Sequence, residues 1–173
     1  MKDRRVIGIT MGDPASIGPE ITVKALARKE LYDKCRPIVI GDASVMEAAV
    51  KIVGQENIKI HPVQKIEDAY FQHGIIDVFD MNLVDMEKLE YGKVSEMAGE
   101  AAFQYVKKVI ELALDGKVDG TVTNALNKEA INLAGHHYSG HTEIYADLTQ
   151  TKKYTMMLAH ENLRVVHIST HVS

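Results

Sequence analysis

The sequence predicts an α/β fold built on a largely parallel sheet flanked by helices, and three observations carry that expectation. Short runs rich in β-branched residues alternate with amphipathic helical stretches along most of the chain. The segments between them are punctuated by glycine, aspartate and proline in the places where strands turn into helices. Residues 95–116 carry a sustained 3.6-residue apolar period that needs a sheet face or a neighbouring helix to cover it.

In chain order, Arg5-Val6-Ile7-Gly8-Ile9-Thr10 is a buried strand entering the tight loop Met11-Gly12-Asp13-Pro14-Ala15-Ser16-Ile17-Gly18. Pro19 suits the first turn of the helix that follows, with Ile21, Leu26 and the alanines as its apolar face. Pro37–Ile40 is a second strand. After Gly41, Asp42 or Ser44 can cap a helix reaching about Val53, with Gly54 at its C-terminal stop. Ile58–Val63 and Ile75–Asp80 are two further strands, and residues 82–93 are loop or edge structure. Ser95 caps the long helix, whose apolar positions run Ala98, Ala101, Ala102, Tyr105, Val106, Val109 and Ile110, and Gly116 ends it. Val118–Thr123 is a strand, residues 127–134 a short helix stopped by Gly135, and 142–148 another helix with Thr142 as candidate cap. Residues 154–158 and 163–169 pair as antiparallel strands.

The bulk numbers fit one or two small domains. A chain of 173 residues can bury a core without disulfides. Twenty basic against 24 acidic residues, spread without single-sign runs, argue against nucleic acid or an anionic membrane as the main partner. Cys35 is the lone cysteine and is expected to be a buried thiol. No stretch has the run of about 20 apolar residues that a membrane span needs, and a cytoplasmic location is expected.

Two stretches hold the candidate chemistry. The glycine loop after the first strand invites a phosphate reading, because helix N-terminal amides attract anions. Gly12 and Gly18 do not make a dinucleotide or Walker spacing, however, and Asp13 and Glu20 add negative charge, so a structural tight turn and a cleft-lining role stay open beside it. Six of the eight histidines lie at or after position 136, around Gly140-His141-Thr142-Glu143 and His167-Ile168-Ser169-Thr170-His171. On its own, a His-Thr pair at a helix start is ordinary capping. Lys128 is a candidate anion contact or a solvated lysine, and His136, His137 and His160 are loop or surface residues.

The loop 11–20 closely resembles the N-terminal signature of the 4-hydroxythreonine-4-phosphate dehydrogenase family. The resemblance continues through Gly92-Lys93-Val94-Ser95, Ala98-Gly99, Asn127-Lys128-Glu129-Ala130, Gly140-His141-Thr142-Glu143 and Ser169-Thr170-His171. Tyr138 to Glu143 and His167 to His171 are nearest the branch acting on 4-phospho-D-threonate or 4-phospho-D-erythronate. The resemblance implies an isocitrate/isopropylmalate dehydrogenase-like fold, incomplete in this chain, with residues 1–118 as an N-terminal α/β domain and 119–173 as the start of a second. It implies oxidation with decarboxylation of a 4-phosphorylated hydroxy acid, with NAD and a divalent metal (zinc, magnesium or cobalt), in a homodimer. It assigns His141 and Thr142 to substrate and His171 to the metal; the family motif supplies only that later histidine, so His167 is expected to be a structural residue or to support the ligand. There the imidazole and hydroxyl are expected to donate to a carboxylate or phosphate oxygen. Family members are longer, so this chain is expected to be the N-terminal half and inactive alone. A non-catalytic ligand-binding or interaction remnant is the alternative, and a phosphate acyltransferase-like protein a weaker third.

Two positions depart from the family pattern. Ser16 stands where glycine is usual, and Asn124-Ala125 replaces Ala-Pro. A positive φ at Ser16 would cost about 1 kcal/mol.

Overall fold

The structure is a computed structural model and describes residues 4–167. Five parallel strands form one sheet in the order β3-β4-β2-β1-β5: β1 Val6–Thr10, β2 Arg36–Gly41, β3 Lys59–Val63, β4 Ile75–Asp80 and β5 Gly120–Thr123. Parallel pairing requires crossovers, which α1 (Gly18–Leu26), α2 (Lys29–Lys34), α3 (Ala43–Ile52) and α4 (Glu96–Leu114) provide, except between β3 and β4, where the connection holds a single 3-10 turn, Ile66–Asp68. The short α2 is absent from the sequence expectation. Two shorter helices follow β5, α5 (Lys128–Leu133) and α6 (His141–Leu148), and then the antiparallel hairpin β6 (Met157–His160) and β7 (Leu163–Val166).

The chain adds β2, β4 and β3 on one side of β1 and then crosses back to lay β5 on the other, so the order reverses between β1 and β5. That reversal puts the carboxyl ends of two strands side by side, with Thr10 opposite Thr123. Ligand crevices of open parallel sheets form at such a point. β5 lies beyond the boundary expected at residue 118, and the first sheet extends through it to Thr123.

The core confirms the strand assignments: Ile38, Val39 and Ile40 of the central β2 are fully buried, as near-continuous apolar runs in parallel sheets should be. The long helix follows the sequence expectation closely. Ser95 caps it by accepting the Ala98 amide, and Gly116 ends it at positive φ. It lies against β1, β2 and β5. The approach is tight at Gly8, where a Cβ would sit 2.6 Å from a Val109 methyl.

Three local expectations are corrected. Ile21 is 46% exposed, whereas Pro19, Thr22, Val23 and Leu26 face inward at helical spacing. Thr22 can be buried because its hydroxyl donates to the Gly18 carbonyl at 2.9 Å and accepts from Asn124. Asp42 occupies the cap position of α3 without capping it. Its carboxylate instead accepts the Leu83 and Val84 amides at 2.6 Å each and the Tyr105 hydroxyl at 3.0 Å, and Asp80 takes the Ala43 amide. Burial pushes the Asp42 carboxyl up, with those donors opposing. Thr142 is not the cap of α6, because Gly140 holds that position and Thr142 stands exposed in the first turn.

Cys35 is half-buried rather than buried, since it ends the short α2 at the rim of β2, and burial raises its thiol pKa. Among the described residues no helix is long and apolar enough to cross a membrane.

Candidate functional site

The crevice at the β1/β5 reversal is assembled by the loop after β1 and the segment after β5. Gly12 has φ of +81°, and a Cβ there would meet the Ala125 carbonyl oxygen at 2.6 Å, so both the backbone angle and the close approach require glycine. Gly18 is as constrained, with a Cβ 2.4 Å from the Met11 carbonyl oxygen.

Three amides of this loop are hydrogen-bonded to the protein. Asp13 N–H donates to the Ala125 carbonyl at 3.0 Å, Ser16 N–H to the Asp13 carbonyl at 3.1 Å, and Ala15 N–H to the Asp13 carboxylate at 2.8 Å. Those three donors are not free for a phosphate, and the loop lines the cleft beside α1. Ser16 is not among the positive-φ residues, and the serine carries no backbone strain.

Asp13 is 3% exposed, and burial raises its pKa against the Ala15 amide. It lines a cleft of about 270 Å³ with Ser16, Glu20, Tyr91, Lys93 and Asn127. The far wall of that cleft is tied down where Gly92 N–H donates to the Ala15 carbonyl at 2.7 Å.

Asn124 joins the two sides. Its side-chain amide donates to the Thr10 carbonyl at 3.0 Å and the Thr22 hydroxyl at 2.6 Å, and its backbone N–H donates to the Thr10 hydroxyl at 3.2 Å. One residue thereby binds β1, α1 and the exit of β5 together. The sequence flagged it only as a departure from Ala-Pro.

His141 begins α6. That helix is seated by the fully buried Ile144 and by the Tyr145 hydroxyl, which donates to the Thr121 hydroxyl of β5 at 2.8 Å. The His141 ring is half-buried, and its Nε2 is screened from solvent without a hydrogen-bond partner. Burial lowers its pKa, with the Asn124 backbone opposing. A buried polar atom without a partner costs about 1–3 kcal/mol. Among the described residues it is the one such side-chain nitrogen or oxygen.

The remaining candidates separate. Lys128 is exposed on α5, which Asn127 caps by accepting the Glu129 and Ala130 amides. His137 and His160 are exposed, as expected, and His167 is half-exposed at the end of the hairpin. His136 lies in the loop between α5 and α6, as expected, and is half-buried there. Its ring stacks on Phe103 with centroids 3.6 Å apart, and its Nε2 lies 2.6 Å from the Glu100 carboxylate. His171 lies outside the described residues. Among the described residues no group of three or more His, Cys, Asp or Glu side chains is placed to hold a metal ion.

Residues 33–173 match the family model for pyridoxal phosphate biosynthetic protein PdxA. The chain belongs to the PdxA family. A D-threonate 4-phosphate dehydrogenase from Cupriavidus necator is 47% identical over 167 residues, covering 96% of this chain and 50% of that protein. A putative D-threonate 4-phosphate dehydrogenase from Fusobacterium nucleatum is 45% identical over 170 residues, covering 98% of this chain and 51% of the relative. Among solved structures, a 4-hydroxythreonine-4-phosphate dehydrogenase from Burkholderia phymatum superposes with a TM-score of 0.93 at 46% identity, covering 98% of this chain and 51% of that one. The chain therefore spans about half the length of the PdxA-family proteins it matches. The likeness extends across the described sheet, so the largely parallel α/β architecture is the one the family shares.

Proposed function

We propose that this chain forms part of a dehydrogenase acting on a 4-phosphorylated hydroxy acid, D-threonate 4-phosphate or 4-hydroxy-L-threonine 4-phosphate. The substrate is proposed to enter the β1/β5 crevice and meet His141 and Thr142. The observation that carries the reading is the screened, unpartnered Nε2 of His141 at the switch point, in a chain matching dehydrogenases named for such substrates. Around it, α6 starts at Gly140 without a side-chain cap, so its first-turn amides and the exposed Thr142 hydroxyl are available to an anionic group.

NAD as hydride acceptor, a divalent metal with His171 as one ligand, decarboxylation and a homodimer belong to the same proposal for the whole protein. The described residues alone do not make a metal site, and the Asp13, Ala15 and Ser16 amides of the glycine loop are already hydrogen-bonded within the protein. Their part is to bind and orient the hydroxy acid. The hairpin's exposed Met157, Leu158, Leu163 and Val165 support burial of that segment against the rest of the assembly. A second α/β unit is proposed to begin after β5.

The test is NADH formation by the whole protein from each phosphorylated acid with zinc, magnesium or cobalt added. Turnover is expected, with His141→Ala lowering kcat/KM roughly tenfold to a hundredfold, the worth of one buried hydrogen bond. Binding without turnover under any metal would favour the non-catalytic ligand-binding alternative. Neither binding nor turnover would remove the reading.

A further inference from the structure

We infer that a second anion site lies at the amino end of the sheet, where Arg4, Arg5, Arg36 and Lys117 bind a pyrophosphate group, free or carried by a nucleoside diphosphate. This site is separate from the proposed substrate crevice, which lies at the other end of β1.

The fold gathers the cations. Arg5 and Arg36 stand at the starts of β1 and β2, whose first pair is Val6 opposite Arg36. Lys117 lies in the turn from α4 to β5, behind Gly116 at positive φ. These segments surround a cavity of about 690 Å³, within the span of about 300–1,000 Å³ usual for small-ligand sites. Among the described residues its lining includes four cationic side chains and one carboxylate, Asp119, in a chain whose formal net charge is −4. The β1/β5 crevice is roughly 15 Å away, the length of the five-residue β1, so a ligand here leaves the crevice open.

The cations are aimed rather than loose. Arg36 Nε donates to the Arg4 carbonyl at 2.7 Å, and the Arg36 guanidinium lies 5.5 Å from the centre of the Phe71 ring. The Arg4 guanidinium donates to the Tyr32 carbonyl, which orients it without neutralising its charge. Arg5 donates to Asp119 Oδ1 at 2.8 Å, and Lys117 donates to Glu67 with Asp115 nearby. Both of these pairs are open to solvent, with the Arg5 side chain 79% and the Lys117 side chain 49% exposed. Exposed pairs contribute little and are screened by salt, so a ligand oxygen can take the place of either carboxylate.

Helix ends explain part of this charge. Arg4 and Lys117 sit at the C-terminal ends of α2 and α4, whose dipoles they complement. Arg5 and Arg36 begin strands and have no such role. A single carboxylate or phosphate would meet only part of the set, whereas a pyrophosphate carries several negative charges and spans more than one guanidinium fork, the geometry that arginine recognises best.

Calorimetry on the whole protein tests this, with pyrophosphate, ADP and sulfate as probes. Saturable pyrophosphate binding is expected, weakening severalfold as salt rises from about 50 to about 200 mM. Arg5→Ala and Lys117→Ala, both at exposed side chains, are each expected to lower the affinity roughly tenfold, and either suffices if the other does not fold. Glu67→Gln, which releases Lys117, is expected to raise it about twofold. That rise separates a ligand role from a structural one, because losing an ion pair would otherwise only loosen the fold.

Tighter binding of ADP than of pyrophosphate, lost in the same alanine variants, identifies a nucleotide as the source of the group. Equal or weaker binding of ADP identifies free pyrophosphate. No saturable binding, an affinity unchanged in both alanine variants, or equal affinity for sulfate, which would mean an adventitious ion only, would each overturn the inference.

Discussion

His136 lies in the connection between α5 and α6 and His141 begins α6, and the fold treats them in opposite ways. The His136 ring is stacked on Phe103, and its Nε2 is satisfied by Glu100. Burial alone would raise the Glu100 pKa, but the hydrogen bonds from Gln104 and His136 outweigh it and hold that carboxyl below its usual range. The His141 ring is half-buried at the start of α6, and its Nε2 has no partner. A histidine with both a ring contact and a carboxylate stabilises the chain path. One held in place with its outer nitrogen unspent costs stability, and such a cost is tolerated where a ligand supplies the partner. The first histidine fixes the path by which the second reaches the crevice.

The largest way to break this arrangement is to separate α5 from α4, since His136 docks on α4 and α5 opens the connection. A Cβ on Gly99 would lie 2.0 Å from the Ala130 carbonyl oxygen, a backbone atom that cannot swing away. Gly99→Ala is expected to destabilise the protein by about 3 kcal/mol or prevent folding, measured by urea denaturation. A loss under 1 kcal/mol would show that the two helices have room to part.

Next in size is the paired substitution. His136→Ala removes the stack and the charged hydrogen bond and is expected to cost about 1–2 kcal/mol of stability, with ligand affinity retained in the fraction that folds. His141→Ala deletes an unsatisfied nitrogen along with some packing, so its stability change should stay within about 1 kcal/mol. Its affinity for a 4-phosphorylated hydroxy acid should fall roughly tenfold or more. Denaturation and calorimetry on both variants decide the matter, and an exchange of the two profiles would reverse the roles.

Much of this was legible in the sequence. Strand and helix positions followed from apolar period and from glycine and proline punctuation, because those signals are local. Ser95 as a cap and the stops at Gly54 and Gly116 were readable for the same reason. What escaped depends on distant partners. Nothing near Asn124 in the chain indicates that it bonds residues 102 and 114 positions away. Nothing near His136 announces Glu100. Asp42 looked like a cap because capping is what a local reading of aspartate before a helix suggests, and only the tertiary fold brings Leu83, Val84 and Tyr105 to it. His141 and Thr142 were found through family resemblance, and spacing alone would have left them as helix capping.

A smaller effect concerns acid. The His141 pKa is lowered in the folded protein, so the unfolded chain binds the proton more readily. Stability from this group is complete above the unfolded value of about 6.5 and is lost as pH falls through the folded pKa. Subtracting the pH–stability profile of His141→Gln from that of the wild type should leave a component that declines below about pH 6.5. A component that instead grows on acidification would mean the ring gains an acidic partner on folding. His136→Gln supplies the control from the other half of the comparison, because its Glu100 partner is lost in the same experiment.

The smallest expected effect tests the corrected face of α1, next to the crevice. Ile21 is 46% exposed and Ile17, one turn earlier, 58% exposed, so neither contributes much to the core. The inward face consists of Thr22, Val23 and Leu26, and Thr22 is placed there by its bonds to Gly18 and Asn124. Ile21→Lys should therefore change stability by no more than about 0.5 kcal/mol, as surface substitutions do. Thr22→Val keeps the shape but leaves the Asn124 amide without its 2.6 Å acceptor, and should cost about 1–2 kcal/mol. A large loss at Ile21 with none at Thr22 would restore the apolar face first expected for this helix. It would also detach α1 from its junction with Asn124 at the exit of β5.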